Sequence, residues 1–126
     1  VSKDKLTNKK TFEPSRRAIM ETNTNIYTIY IGLNDQKEKV QLIDTNDALV
    51  IVSEYLANHF EGATAYNAIG IYKHENGDVV RENSIVIELV FVTDEDVMKM
   101  INHFRVVFNQ ESVMKVVIPC NCDFIG

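Results

Sequence analysis

Residues 63–92 read ATAYNAIGIYKHENGDVVRENSIVIELVFV, two apolar segments that meet at Glu75-Asn76-Gly77-Asp78. Asn and Gly both tolerate the positive φ of a type I′ turn, so an Asn-Gly pair between apolar runs is a strong hairpin signal. The second run steps through four consecutive pairs from Ile85-Val86 to Phe91-Val92, and the stretch reads as one long β-hairpin.

The flanks supply the rest of a domain. Ile26 to Leu33 is a strand, stopped by the turn-forming run Gly32 to Asp35. Asp44 or Thr45 caps a helix to about Phe60, with a buried stripe of Leu49, Val52, Leu56 and Phe60, Ala48 and Tyr55 at its edges, and Gly62 beyond its end. After the hairpin, Thr93 caps a second helix whose first turn, Asp94-Glu95-Asp96, sets three carboxylates at the positive end of the helix dipole. Val97, Ile101, Phe104 and Phe108 form its apolar stripe, and Ser112 to Ile118 is the last strand, closed by Pro119. The order β-α-β-β-α-β predicts an α+β ferredoxin-like sandwich, a four-stranded antiparallel sheet with two helices on one face. That scaffold hosts many unrelated activities, so the fold names none of them.

With 126 residues the chain has room for one such domain, expected over 26–119. Residues 1–25 are polar and aperiodic and read as a disordered basic leader; 120–126 read as a C-terminal tail. Met20 reads as the true or a second start, because Met20-Glu21-Thr22-Asn23 leads directly into the first strand. The first twenty residues carry Lys3, Lys5, Lys9, Lys10, Arg16 and Arg17 against Asp4 and Glu13, a net +4, while the whole chain is −5, which leaves −9 on the remainder. A body that acidic repels nucleic acid and anionic membrane, so neither is an expected partner. No apolar run reaches the roughly 18 residues of a membrane helix. Cys120 and Cys122 are too close in sequence for an ordinary disulfide staple and too few for a zinc site; they are open to a soft-metal or redox reading and fit a reduced, cytoplasmic protein.

Alternation assigns Ile85, Ile87, Leu89 and Phe91 to the core and Val86, Glu88, Val90 and Val92 to the opposite sheet face. The same parity puts Thr28, Tyr30, Tyr66, Ala68, Gly70, Tyr72, Val113, Lys115 and Val117 on that open face. Such an apolar face predicts a homo-oligomer, or the floor of a ligand pocket, with the leader or tail folded over it as the alternative. Glu88 and Lys115 are the face's charges and read as an ion pair, or Glu88 as a general base with a raised pKa. With the first strand between the third and fourth, the two lie two strands apart and meet only through a partner chain. His59, His74 and His103 stand on different elements and make no metal motif. No Gly-rich loop or nucleophile triad is present, and no cofactor is expected.

Four segments carry a family resemblance: Phe60-Glu61-Gly62-Ala63-Thr64; Ala68-Ile69-Gly70-Ile71-Tyr72; Gly77-Asp78-Val79-Val80-Arg81-Glu82-Asn83-Ser84; and Phe108-Asn109-Gln110-Glu111-Ser112-Val113. With Ile31-Gly32-Leu33 as opening strand, residues 27–117 resemble a small bacterial domain family of unknown function. The resemblance implies the same fold and marks Arg81, Glu82 and Ser84, and Gln110, Glu111 and Ser112, as positions of interest. The third and fourth strands are expected to run antiparallel, which puts these two clusters at opposite ends of one subunit. Either a two-fold partner unites them, or Glu82 is a cross-strand residue of the hairpin and Gln110-Glu111-Ser112 a helix stop.

The function expected is a soluble, oligomeric binding module that uses its open face or subunit interface for a small molecule or protein. The candidate ligand or interface residues are Tyr30, Tyr66, Tyr72, Arg81, Glu82, Ser84, Glu88, Val90, Gln110, Glu111 and Lys115. The alternatives are a dimeric α+β barrel-type enzyme, with Glu88 or Glu82 as base and Tyr30 or Tyr72 orienting the substrate, and a small acidic inhibitor or immunity-type protein.

Overall fold

A computed structural model describes residues 22–126. The leader and the Met20 start fall outside the described residues. The elements run β1 (Thr24–Gly32), α1 (Thr45–His59), β2 (Thr64–Lys73), β3 (Val79–Val90), α2 (Asp94–Val107) and β4 (Met114–Cys120). They build one antiparallel sheet in the order β2-β3-β1-β4, the ferredoxin-like sandwich that the element order predicts. Residues 25–118 form one compact unit; the described ends, 22–24 and 119–126, belong to a second, smaller one.

Each helix starts where a short polar side chain satisfies a free backbone N–H. Asp44 accepts from Asn46 N at 3.1 Å to open α1, and Thr93 Oγ1 accepts from Asp96 N at 3.1 Å to open α2. The core is the space between these helices and the sheet. Ile29, Ile31, Ile85, Ile87 and Leu89 rise from β1 and β3 to meet Val52 and Leu56 of α1 and Val97, Met100, Ile101, Phe104 and Phe108 at α2. In α1 the stripe is turned towards Ala48, which is fully buried, while Leu49 and Phe60 pack only at the margin. A small residue is what lets the helix approach the sheet closely at that point. On the outside of the helices, His59 and His103 both stack on Tyr55, with ring centroids 3.9 and 4.8 Å away. Among the described residues no helix is long and apolar enough to cross a membrane.

Four local expectations are corrected. The hairpin closes through a five-residue loop: Gly77 N donates to His74 O at 2.9 Å, His74 N donates to Asp78 O at 2.8 Å, and only Gly77 takes a positive φ, +94°. This is a type I turn followed by a left-handed Gly, the alternative hairpin closure to type I′.

Strand parity ends at Val90. Phe91 has φ +57° and is 50% exposed, while Val92 packs on the core. Val92 precedes the Thr93 cap and Val97 is the fourth residue of α2, the two positions of a hydrophobic staple, and turning Val92 inward sends Phe91 out.

In β4 the parity is opposite to that expected. Val113 packs on the core, and Lys115 Nζ reaches Asp94 Oδ1 at 2.9 Å and Met98 Sδ at 3.5 Å, so Val113, Lys115 and by alternation Val117 lie on the helix side. β4 is apolar on both parities, so its pattern alone has no preferred face.

Finally, β1 is antiparallel to both of its neighbours, which makes β3 and β4 parallel to each other. Their starts therefore lie at the same end of the sheet.

Candidate functional site

β1 ends at Gly32, but the ladder to β3 continues one step, with Leu33 N donating to Asn83 O at 2.9 Å. Asn34 thereby comes beside Glu82. The Glu82 carboxylate folds back across β1 and accepts from Asn34 N at 3.0 Å. It lies so close over Gly32 that a Cβ there would stand 2.8 Å from Cδ and both oxygens. Gly32 is thus a close-approach glycine, and its lack of a side chain is what seats the carboxylate.

The opposite flank is supplied by the end of α2. Asn109 takes the left-handed conformation (φ +47°), its N–H donating to Val106 O and that of Gln110 to Arg105 O, the two bonds of a Schellman cap. This cap aims two amides at the loop after β1. Gln110 Nε2 donates to Asn34 O at 2.7 Å and to Phe108 O at 3.1 Å, while Asn109 Nδ2 donates to Asp35 Oδ1 at 2.8 Å. Both backbone groups of Asn34 are therefore held by side chains from distant segments, Glu82 on one side and Gln110 on the other.

Asp35 anchors the loop. Only 8% exposed, it also accepts from Lys37 N and Glu38 N on Oδ2, at 3.0 and 2.9 Å. The Glu38 N–H, then the Asn109 amide, hold its carboxyl below the usual range against the opposing effect of burial. On the helix side of the hairpin, Asn83 Nδ2 donates to Gln41 Oε1 at 2.7 Å, and Gln41 Nε2 donates to Ile43 O and Thr45 Oγ1.

The three segments Ile31-Gly32-Leu33, Arg81-Glu82-Asn83-Ser84 and Asn109-Gln110 thus converge at one end of one subunit. The expectation of opposite ends fails because β3 and β4 are parallel, and no second chain is needed to join Glu82 to Gln110.

From Glu82 the open sheet face extends in rows set by the register. Gly70 pairs with Glu82; Ala68, Ser84 and Gly32 form the next row; Tyr66, Val86 and Tyr30 the next; and Thr64, Glu88 and Thr28 the one after. Ala68, Ser84, Gly32 and Gly70 make a floor of small residues. Tyr30 and Tyr66 wall it on one side, and Tyr72, opposite Val80, stands at the other. The three tyrosines are 38%, 44% and 47% exposed, yet Val86 between two of them is only 2% exposed, because Tyr30 and Tyr66 flank it in its row. Three adjacent strands span about 10 Å, the breadth of a small flat molecule.

Charge on this floor is of one sign. Glu82 and Glu88 are its ionisable carboxylates, and β1, β2 and β3 bring no basic side chain to the same rows. Tyr66 Oη donates to Glu88 Oε2 at 3.0 Å, and this bond, with desolvation and the Glu88 charge, pushes the phenol pKa up. Tyr66 therefore stays a neutral donor.

The remaining candidates lie elsewhere. Val90 is on the open face opposite Ile26, outside the small-residue floor. Arg81 has the parity of the helix side. Glu111 lends its main-chain oxygen to Arg105 Nη1 at 3.1 Å. Lys115 is paired with Asp94 instead of Glu88. Asn34, Asp35, Gln41, Asn83 and Asn109 are not among the site candidates that the sequence marks, although Asn109 directly after an amphipathic run is a recognisable helix-stop signal.

The fold is similar to that of a phage SAM lyase in complex with S-methyl-5'-thioadenosine, with a TM-score of 0.54 and 22% identity over 80% of this chain and 84% of that one. A phage SAM lyase in the apo state aligns with a TM-score of 0.47 and 20% identity over 81% and 92%. Among curated proteins no match is found. The model of the family described as "Protein of unknown function (DUF3574)" matches residues 26–124, and the chain belongs to that family.

Proposed function

We propose that this protein is an oligomeric binding module that takes a small organic cation with a flat apolar part on its open sheet face. The observation that carries the reading is the Glu82 carboxylate, seated over Gly32 by Asn34 N and held beside a floor of Ala68, Ser84 and Gly70. A fixed carboxylate next to tyrosine faces, with Glu88 nearby and no basic group in the same rows, selects positive charge by ion pairing and cation–π attraction. The small floor residues leave room for a ring to lie against the sheet. The likeness to the phage SAM lyase speaks for the fold alone, and the ligand class rests on the chemistry of the floor. Tyr30, Tyr66, Tyr72 and Val90 together make the face apolar enough that a second copy is the natural cover for what the ligand leaves exposed.

Native mass spectrometry of gently purified protein tests both parts at once, by subunit number and by retained mass. The expected result is an oligomer carrying a cationic small molecule. Glu82→Gln, which keeps the shape and removes the charge, is expected to weaken that ligand roughly tenfold or more. Val90→Arg is expected to dissociate the oligomer. Retention of the ligand by Glu82→Gln at unchanged affinity overturns the site, and a wild-type monomer overturns the assembly.

A further inference from the structure

The two cysteines belong to the smaller unit of the chain. Cys120 ends β4 and Cys122 follows after one residue; both are free and half-buried, with their sulfurs 3.0 Å apart. The segment that carries them is clamped. Asn23 Nδ2 donates to Cys122 O at 2.9 Å, Asn23 Oδ1 accepts from Cys122 N at 3.0 Å, and Asn23 N donates to Asn121 Oδ1 at 3.0 Å. One asparagine side chain thus satisfies both backbone groups of Cys122 and fixes the chain beside the second sulfur.

The two sulfurs stand only about 1 Å beyond the length of a disulfide bond, so a small closure joins them. A ring of so few residues restrains the unfolded chain little, so as a staple the bond has small value. Its use is chemical. Either sulfur can donate to the other, and this contact, with desolvation and the charges of Cys120 and Asp123, pushes the Cys122 thiol up.

We propose that Cys120 and Cys122 form a dithiol–disulfide couple that exchanges with low-molecular-weight disulfides of the glutathione type. One cysteine, as thiolate, attacks a sulfur of the disulfide, forming a mixed disulfide and releasing one thiol. The second cysteine loses its proton and attacks the protein-side sulfur of that mixed disulfide, forming the Cys120–Cys122 bond and releasing the second thiol. Two electrons pass from the protein pair to the small disulfide, which leaves as two thiols. The clamped 3.0 Å approach makes the second attack intramolecular and fast relative to accumulation of the mixed species.

The test is intact-mass analysis of the full chain equilibrated in oxidised and reduced glutathione and quenched with acid, beside Cys120→Ser and Cys122→Ser. Circular dichroism verifies that each variant is folded. Wild type is expected to lose the mass of two hydrogens without an adduct and to recover it on excess reduced glutathione. Each single variant is expected to stop at one glutathione adduct. Wild type that accumulates stable glutathione adducts, or that links chains into disulfide dimers instead of losing two hydrogens, overturns the proposal.

Discussion

Gly32→Ala probes the seat of the Glu82 carboxylate directly. Gly32 has no positive φ, so alanine is compatible with its backbone, and on that ground alone the change stabilises the fold by about 0.4–1 kcal/mol through the unfolded chain. The new Cβ, however, would stand 2.8 Å from the carboxylate, while ordinary contact begins at 3.4 Å. Glu82 must therefore retreat by at least about 0.6 Å, which stretches its 3.0 Å bond from Asn34 N past the roughly 3.5 Å limit of a hydrogen bond. A hydrogen bond to a charged acceptor is worth about 1.5–3 kcal/mol, and the half-exposed setting of Glu82 puts this one at the low end. The net expectation is a loss of about 0.5–1 kcal/mol in wild type. In a Glu82→Ala background nothing occupies the space over Gly32, and the same substitution should stabilise by about 0.5 kcal/mol. Urea unfolding of the four proteins reads this change of sign as a coupling of about 1–1.5 kcal/mol. An effect of Gly32→Ala equal in the two backgrounds within about 0.3 kcal/mol refutes the seating of the carboxylate on the glycine.

Two further outcomes follow from the same geometry. Asp35 has a folded-state pKa below its unfolded value, so its contribution to stability is full above the unfolded pKa of about 3.9 and is lost as pH falls through the folded value; Asp35→Asn should flatten the acid limb of a stability–pH curve, and an unchanged limb counts against the role of the Glu38 N–H and the Asn109 amide. Thr93→Ala removes the cap that accepts from Asp96 N and should lower stability by about 1 kcal/mol in thermal or urea unfolding, whereas Thr93→Ser should hold it nearly unchanged.

The hairpin, both helix caps and the order of elements are written in local pattern, because hydrogen-bonded turns, caps and 3.6-residue stripes are short-range physics. Thr93 before Asp94-Glu95-Asp96 opens α2 whatever the rest of the chain does. The misread residues share another property: their side depends on something the local pattern does not hold. Phe91 turns out because Val92 must face the core at the start of α2, and Lys115 faces the helices because Asp94 waits there on another element. An apolar strand such as β4, with apolar residues on both parities, has no period of its own to choose a face.

The site divides the same way. Glu82, Ser84 and Gln110 were legible as positions of interest, and the tyrosines as members of an open face. Their assembly was not legible. It depends on β1 lying antiparallel between β3 and β4, which brings the starts of two strands, Val79 and Met114, to one end of the sheet. It depends also on Asn34, whose backbone N–H and C=O meet Glu82 from one strand and Gln110 from beyond α2. By itself the sequence determined which segments are helix and strand, where the helices begin, and that one sheet face is apolar. Only the tertiary structure decided that Gly32, Glu82 and Gln110 are neighbours, because strand direction and loop closure are set by packing of the whole core and leave no periodic trace in the residues they bring together.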